Sequence, residues 1–263
     1  MMVVFSDVDG TLIDFRTYEP GASLLAVARL KERGIPLVMV SSKTRAELRM
    51  WQENLGLSEP LIPENGGAVL VPEGYRGWKL DWPTEDGFWV RRLAPEIESF
   101  YQCVDKANSR GHKVKPITRI PPEELASLTG LFPEQVRLAR MREFSLPFVL
   151  EGGSVEEVEA IAAESGFRVI RGRRFHHLVA SDKGKAVREL TSLYREHERE
   201  IRTAGIGDNI NDLPMLEAVD FPFLVMKEEG VWDEKVRVKG LVMAQGAGPV
   251  GFAWAIEKLL KEA

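Results

Sequence analysis

The stretch MVVFSDVDGT, residues 2–11, opens with a β-branched and aromatic run and stops abruptly at acidic residues and a glycine. A short apolar run of this kind, ended by a loop signal, is the pattern of a strand buried on both faces of a parallel sheet. It predicts a strand over about Val3 to Ser6, with Asp7 and Asp9 at its C-terminal end. Ligands of open parallel sheets bind at that end, where loops and helix N-termini converge. With one residue between them, two carboxylates can face the same ligand only once the strand has given way to a loop, and Gly10 permits that turn.

Outward from this strand the chain alternates helix and strand. Ser23 to Arg33 reads as a helix stopped by Gly34, and Ile35 to Val40 as a second buried strand. Thr44 to Leu55 is a further helix, and short strands follow at Leu61–Ile62 and Ala68 to Val71, giving the βαβ rhythm of a doubly wound sheet. Near Trp82 the texture changes, with Pro83 and Gly87 reading as a break before a long helix over about Ala94 to Arg110. Two shorter helices, a strand near Phe148, a helix after Ser154 and strands at Phe167–Ile170 and Phe175–Ala180 then suggest a small α+β module. After Ser181 the first rhythm returns. The expected fold is therefore an α/β, Rossmann-like parallel-sheet core over residues 1–81 and 178–263, interrupted by an α+β insertion over 82–177.

Composition narrows the function classes. A net charge of -5 and the absence of any long Lys/Arg run argue against a nucleic-acid partner. A single cysteine, Cys103, cannot close an internal disulfide. No apolar stretch approaches the ~20 residues that span a bilayer, and the N-terminus has no signal-peptide pattern, so a cytoplasmic protein without a membrane partner is expected. The oligomeric state is not legible in the sequence.

Three further groups of residues are expected at the same sheet edge as Asp7 and Asp9. Ser41 and Ser42 end the second strand, Lys183 follows the insertion, and Asp208 with Asp212 follows a strand ending at Ile206. Alone, each has an ordinary explanation: a turn, a helix N-cap, a solvated lysine. In this order, DVDGT, SSK, the lysine and GDNIND resemble the motifs of the haloacid dehalogenase phosphatase superfamily.

The resemblance implies a phosphatase that works through a phosphoryl-aspartate on Asp7, with Asp9 as general acid and base and Lys183 neutralising charge. It implies Mg²⁺ held by Asp7, the Asp9 carbonyl, Asp208 and Asp212, a hard-oxygen set that suits this ion. Ser41, Ser42 and Asn211 are the phosphate-side candidates. Lys43 could meet phosphate or pair with Glu47 on the same helix face.

The insertion resembles the cap of this superfamily, and SSKTRAEL, PENGG, ELASLTG, MREFSLPF and GRRFHH resemble the mannosyl-3-phosphoglycerate phosphatases. A small-molecule substrate, a sugar joined to phosphorylated glycerate, is thereby implied. Its carboxylate calls for cations, which Arg142, Arg171, Arg173, Arg174, His176 and His177 could supply. Glu64, Asn65 and the Gly66–Gly67 backbone could meet sugar hydroxyls. Two departures bear on the sugar: Leu146 stands where the family pattern has an acidic residue, and RFHH replaces a Tyr-His pair. A glucosyl substrate, a broader sugar phosphatase, a phosphosugar mutase and a non-catalytic sugar-phosphate binder are the competing readings.

Overall fold

The computed structural model describes residues 1–172 and 175–262. In chain order its first elements are β1 (Met2–Ser6), α1 (Ser23–Glu32), β2 (Leu37–Val40), α2 (Arg45–Leu55), β3 (Leu61–Ile62), β4 (Ala68–Pro72), β5 (Thr84–Glu85) and β6 (Phe88–Arg92). Next come α3 (Ile97–Ser109), β7 (Val114–Pro116), α4 (Pro122–Thr129), α5 (Pro133–Ala139), β8 (Ser145–Leu150), α6 (Val155–Glu164), β9 (Arg168–Arg171) and β10 (His176–Val179). The last are α7 (Lys183–His197), β11 (Arg202–Gly207), α8 (Leu213–Leu216), β12 (Phe221–Met226), β13 (Val242–Ala247) and α9 (Gly248–Glu262).

Among the described residues these strands form two sheets, one of nine strands in the order β13-β12-β11-β1-β2-β3-β4-β6-β5 and one of four in the order β7-β8-β10-β9. The larger sheet is parallel from β13 to β3 and antiparallel beyond it. Every residue of β1 is buried because alternate side chains enter two apolar layers. Val4 and Met39 pack with Val27 of α1 and Phe252 and Ile256 of α9, whereas Val3, Phe5 and Val38 pack with Val187, Leu190 and Tyr194 of α7. Each such side chain contributes roughly 1.5–3 kcal/mol on leaving water. Strand order reverses between β1 and β11, which opens a crevice at their C-terminal ends.

The segment near Trp82 differs from its sequence reading. Pro83 and Gly87 look like a break, yet β5 and β6 form a hairpin that extends the large sheet, with β6 paired to β4. Asp86 and Gly87 both have positive φ, 49° and 80°. That is the Asp-Gly pair of a two-residue hairpin turn, whose twist matches the flanking strands. The core therefore keeps the chain through Arg92, beyond the expected boundary at residue 81, and the antiparallel four-stranded sheet is entered only after it. Strands β7 and β13 also went unread; β7 is only three residues long, and β13 mixes buried and exposed residues around a glycine.

Candidate active site

Asp7 continues directly from β1, its N–H donating to the Ile206 carbonyl of β11 at 2.9 Å. Lys183 is the first residue of α7, whose N-cap Asp182 accepts from the Lys185 N–H at 2.8 Å. A cation at a helix N-terminus opposes the helix dipole. Here two carboxylates offset that cost: Lys183 Nζ lies 2.6 Å from Asp7 Oδ1 and 2.6 Å from Asp212 Oδ1. The second oxygen of Asp212 accepts the N–H groups of Asp208 at 3.0 Å and Asn209 at 3.3 Å, so this carboxylate shapes its own loop. Asn209 Nδ2 donates to Asp208 Oδ1.

Asp7, Asp208 and Asp212 bring carboxylate oxygens within 4.8 Å of one another, all buried. Burial raises the pKa of Asp7 against the pull of Lys183, with Asp212 adding to the rise. Burial, Asp212 and Asp7 do the same to Asp208. Two carboxylates on one ammonium, with a third beside them, leave negative charge in a water-poor place, and a hard divalent cation is what such an oxygen set fits.

Asp9 lies across the loop, where Lys43 Nζ comes within 3.0 Å of its Oδ1 and 3.8 Å of Glu47 Oε1. Of the two readings of Lys43, the structure favours pairing with carboxylates. Burial lowers its pKa, but Asp9 and Glu47 outweigh burial and hold the ammonium above the ordinary lysine range. Glu47 also closes the capping box of α2 with Thr44, which fixes the start of the helix behind Ser41 and Ser42. Ser41 Oγ accepts the Lys43 N–H at 3.2 Å, and Ser42 faces the cavity described next.

A cavity of about 730 Å³ stands over these residues, walled on the core side by Asp7, Asp9, Ser42, Lys183, Asp208 and Asn211. Its other wall comes from the smaller module, through Thr129, Leu131, Arg171, Phe175 and His177. Asn65 lines it too, and its buried Nδ2 has no hydrogen-bond partner among the described residues. His176, the histidine favoured from sequence, lies beside Phe148; on a strand neighbouring residues face opposite ways, and it is His177 that reaches the cavity. Burial, Arg142 and His176 push His177 down to about 3, so its ring is neutral. Arg171 is held by Glu156 and Glu159 at the cavity rim. Arg173 and Arg174 lie outside the described residues.

The sequence expectations at Glu64, Arg142 and Leu146 are corrected. Glu64 does not face the cavity: its carboxylate accepts the Glu143 and Phe144 N–H groups at 2.8 and 3.1 Å and the Ser145 hydroxyl at 2.9 Å. Arg142 completes that cluster, its Nε 3.2 Å from Glu64 Oε2 and its Nη2 donating to the Ser42 carbonyl at 3.0 Å. Both are spent joining the smaller module to the core. Gly66, with φ +85°, is needed because a side chain there would strike the Asp182 carbonyl just ahead of Lys183. Leu146 is fully buried in the apolar core opposite Leu178, so the departure at this position concerns packing, not a substrate hydroxyl.

Sequence reading missed Asp233 and Lys227, which line the cavity from the loop after β12. Nothing in WDEK marks that aspartate beyond a charged surface turn. Arg16, another lining residue, pairs with Glu228 at 3.1 Å. Among the described residues no helix is long and apolar enough to cross a membrane.

The chain is similar to known proteins along most of its length. The family profile of haloacid dehalogenase-like hydrolases matches residues 4–78. A glucosyl-3-phosphoglycerate/mannosyl-3-phosphoglycerate phosphatase of Persephonella marina is 35% identical over 99% of this chain and 98% of its own. A protein of the same name from Methanococcoides burtonii is 38% identical over 98% and 97%. The mannosyl-3-phosphoglycerate phosphatase of Pyrococcus horikoshii is 34% identical over 85% and 90%. Among solved structures, a HAD-superfamily phosphatase of Bacteroides thetaiotaomicron shares the fold with a TM-score of 0.69 at 20% identity, over 99% of this chain and 94% of that one.

Proposed function

We propose, from the premise that the chain belongs to the haloacid dehalogenase-like hydrolases and to the glucosyl/mannosyl-3-phosphoglycerate phosphatase family within them, that it is a Mg²⁺-dependent phosphatase hydrolysing mannosyl-3-phosphoglycerate to mannosylglycerate and phosphate. The observation that carries the reading is the pairing of Asp7 with Lys183 and Asp212 in a buried acidic centre that opens onto a cavity.

Asp7 attacks phosphorus, and the bond to the glycerate oxygen breaks as Asp9 gives that oxygen its proton. Asp9 then takes a proton from water, whose oxygen attacks the phosphoryl-aspartate and releases inorganic phosphate, restoring Asp7. Lys183 keeps the Asp7 carboxylate and the approaching phosphoryl group from repelling one another. Ser41, Ser42 and Asn211 hold phosphate oxygens. Asp7, Asp208 and the Asp9 carbonyl would hold Mg²⁺, with Asp212 orienting the loop, and the ion when bound supplies positive charge to the transferring group. The four-stranded module acts as the cap that excludes water and selects substrate. Asn65 and His177, a neutral hydrogen-bonding pair of side chains, suit sugar or glycerate hydroxyls.

A second reading, in which the glucosyl compound is accepted as well, is favoured by the two relatives named for both sugars that match nearly the full chain. Phosphate release measured with Mg²⁺ on mannosyl- and glucosyl-3-phosphoglycerate, against simple hexose phosphates, tests both. Faster turnover of the hexose phosphates would sink the glycosyl-glycerate assignment. Interconversion of hexose phosphates without free phosphate would make it a mutase.

A further inference from the structure

The acidic loop after β11 is held from outside itself at one backbone group, and this points to a residue that the mechanism above does not use. Within the loop, the N–H groups of Asp208 and Asn209 donate to Asp212 Oδ2, that of Asn211 to Asn209 Oδ1, and that of Asp212 to the Asn209 carbonyl. The remaining N–H, of Ile210, donates at 3.2 Å to Oδ2 of Asp233. Asp233 is itself fixed. Its carboxylate is buried, lies 2.9 Å from Lys227 Nζ, and accepts the Lys235 N–H at 3.1 Å through Oδ1.

This carboxylate is expensive to keep in the cavity wall. A buried ion pair offsets its desolvation only when its remaining lone pairs are satisfied, and here one of the satisfying donors belongs to the acidic loop. The base of the loop is tied to Asp7 by the pairing of β11 with β1, and its far end by Lys183, which bridges Asp212 to Asp7. The bond from Ile210 to Asp233 adds the hold on the middle of the loop, next to Asp208. Lys227 meanwhile balances the charge of Asp233, so the anchor adds little net negative potential beside Asp208.

We infer that Asp233 is a positioning residue for the metal centre: through Ile210 it sets the placement of Asp208 against Asp7 and thereby the affinity of the site for Mg²⁺. The inference rests on the functional reading above, and its test is direct ion binding without substrate, so that a failed phosphatase assignment and a failed anchor give different results. Residues outside the ligand set that orient metal ligands typically alter affinity by about 10–100-fold when removed.

Mg²⁺ binding to the full chain is to be measured by titration calorimetry, together with KM and kcat at saturating Mg²⁺. Asp233→Ala is expected to weaken Mg²⁺ by about tenfold or more while KM stays near wild type. Asp233→Asn, which keeps an oxygen for the Ile210 N–H but loses the ion pair, is expected to fall between, at about threefold. Mg²⁺ affinity in Asp233→Ala within about twofold of wild type overturns the inference. So does a raised KM with unchanged Mg²⁺ binding, which would make Asp233 a substrate contact. Should Asp233→Ala not fold, Asp233→Asn decides alone, and wild-type Mg²⁺ affinity in that variant overturns the proposal.

Discussion

Two buried clusters of charge lie near the same strand ends and do opposite work. In the first, Lys183 is shared between Asp7 and Asp212 with Asp208 beside them, so negative charge exceeds positive, and burial together with the neighbouring carboxylates pushes Asp7 and Asp208 toward protonation. In the second, Glu64 takes Arg142, two backbone N–H groups and the Ser145 hydroxyl. Its electrostatics are closed. The first cluster faces a cavity and presents carboxylate oxygens that could hold a metal ion, whereas the second faces protein and is completed by it. Burial and charge do not separate a reactive centre from a structural one; the state of saturation does.

The strongest way to break this contrast is at Asp7. Asp7→Asn keeps the shape and a hydrogen bond to Lys183 but is no longer a nucleophile, so phosphate release is expected to fall by about 10⁴-fold or more with the thermal midpoint retained. Wild-type turnover in that variant would make the covalent step wrong. At the closed cluster the effects should be reversed in kind. Arg142→Met leaves Glu64 buried without its cation and is expected to cost about 3–5 kcal/mol in denaturant unfolding. Adding Glu64→Leu should recover part of that loss, whereas a double variant worse than the sum of the singles would contradict a pairwise latch.

A smaller effect sharpens the comparison through pH. The folded chain keeps His177 neutral down to about 3, while the unfolded chain takes up a proton at the ordinary histidine pKa near 6.5. Stability from this site is thus present above pH 6.5 and is lost as pH falls from there toward 3. His177→Gln should flatten that part of the curve, read as denaturation midpoints at pH 7 and pH 4. An unchanged slope would mean the ring is charged in the folded protein.

The central strand, the alternation around it and the residues of the acidic centre were legible because each rests on short-range signals: a buried run, a glycine turn, a carboxylate at a strand end. The smaller module was legible as an insertion, but its edge was not, because Asp86-Gly87 serves equally as a break and as a hairpin turn. Glu64 and Arg142 were read as substrate contacts because residue type shows a charge and not how many donors it meets 79 positions away. His176 and His177 are adjacent, so only the strand's register decides which one reaches the cavity. Asp233 was invisible since its meaning lies in one bond to a loop 23 positions earlier.

The place of Lys183, at the first turn after the chain returns from the smaller sheet, orders events during synthesis. Asp7 leaves the ribosome 176 residues ahead of the cation that neutralises it, and Asp212 follows 29 residues behind that cation. A nascent chain thus carries Asp7 for 176 of its 263 residues before the lysine that pairs with it is made. The buried ion pair of Asp7 can therefore form only once the smaller module has been made, and a chain ending ahead of Lys183 lacks it.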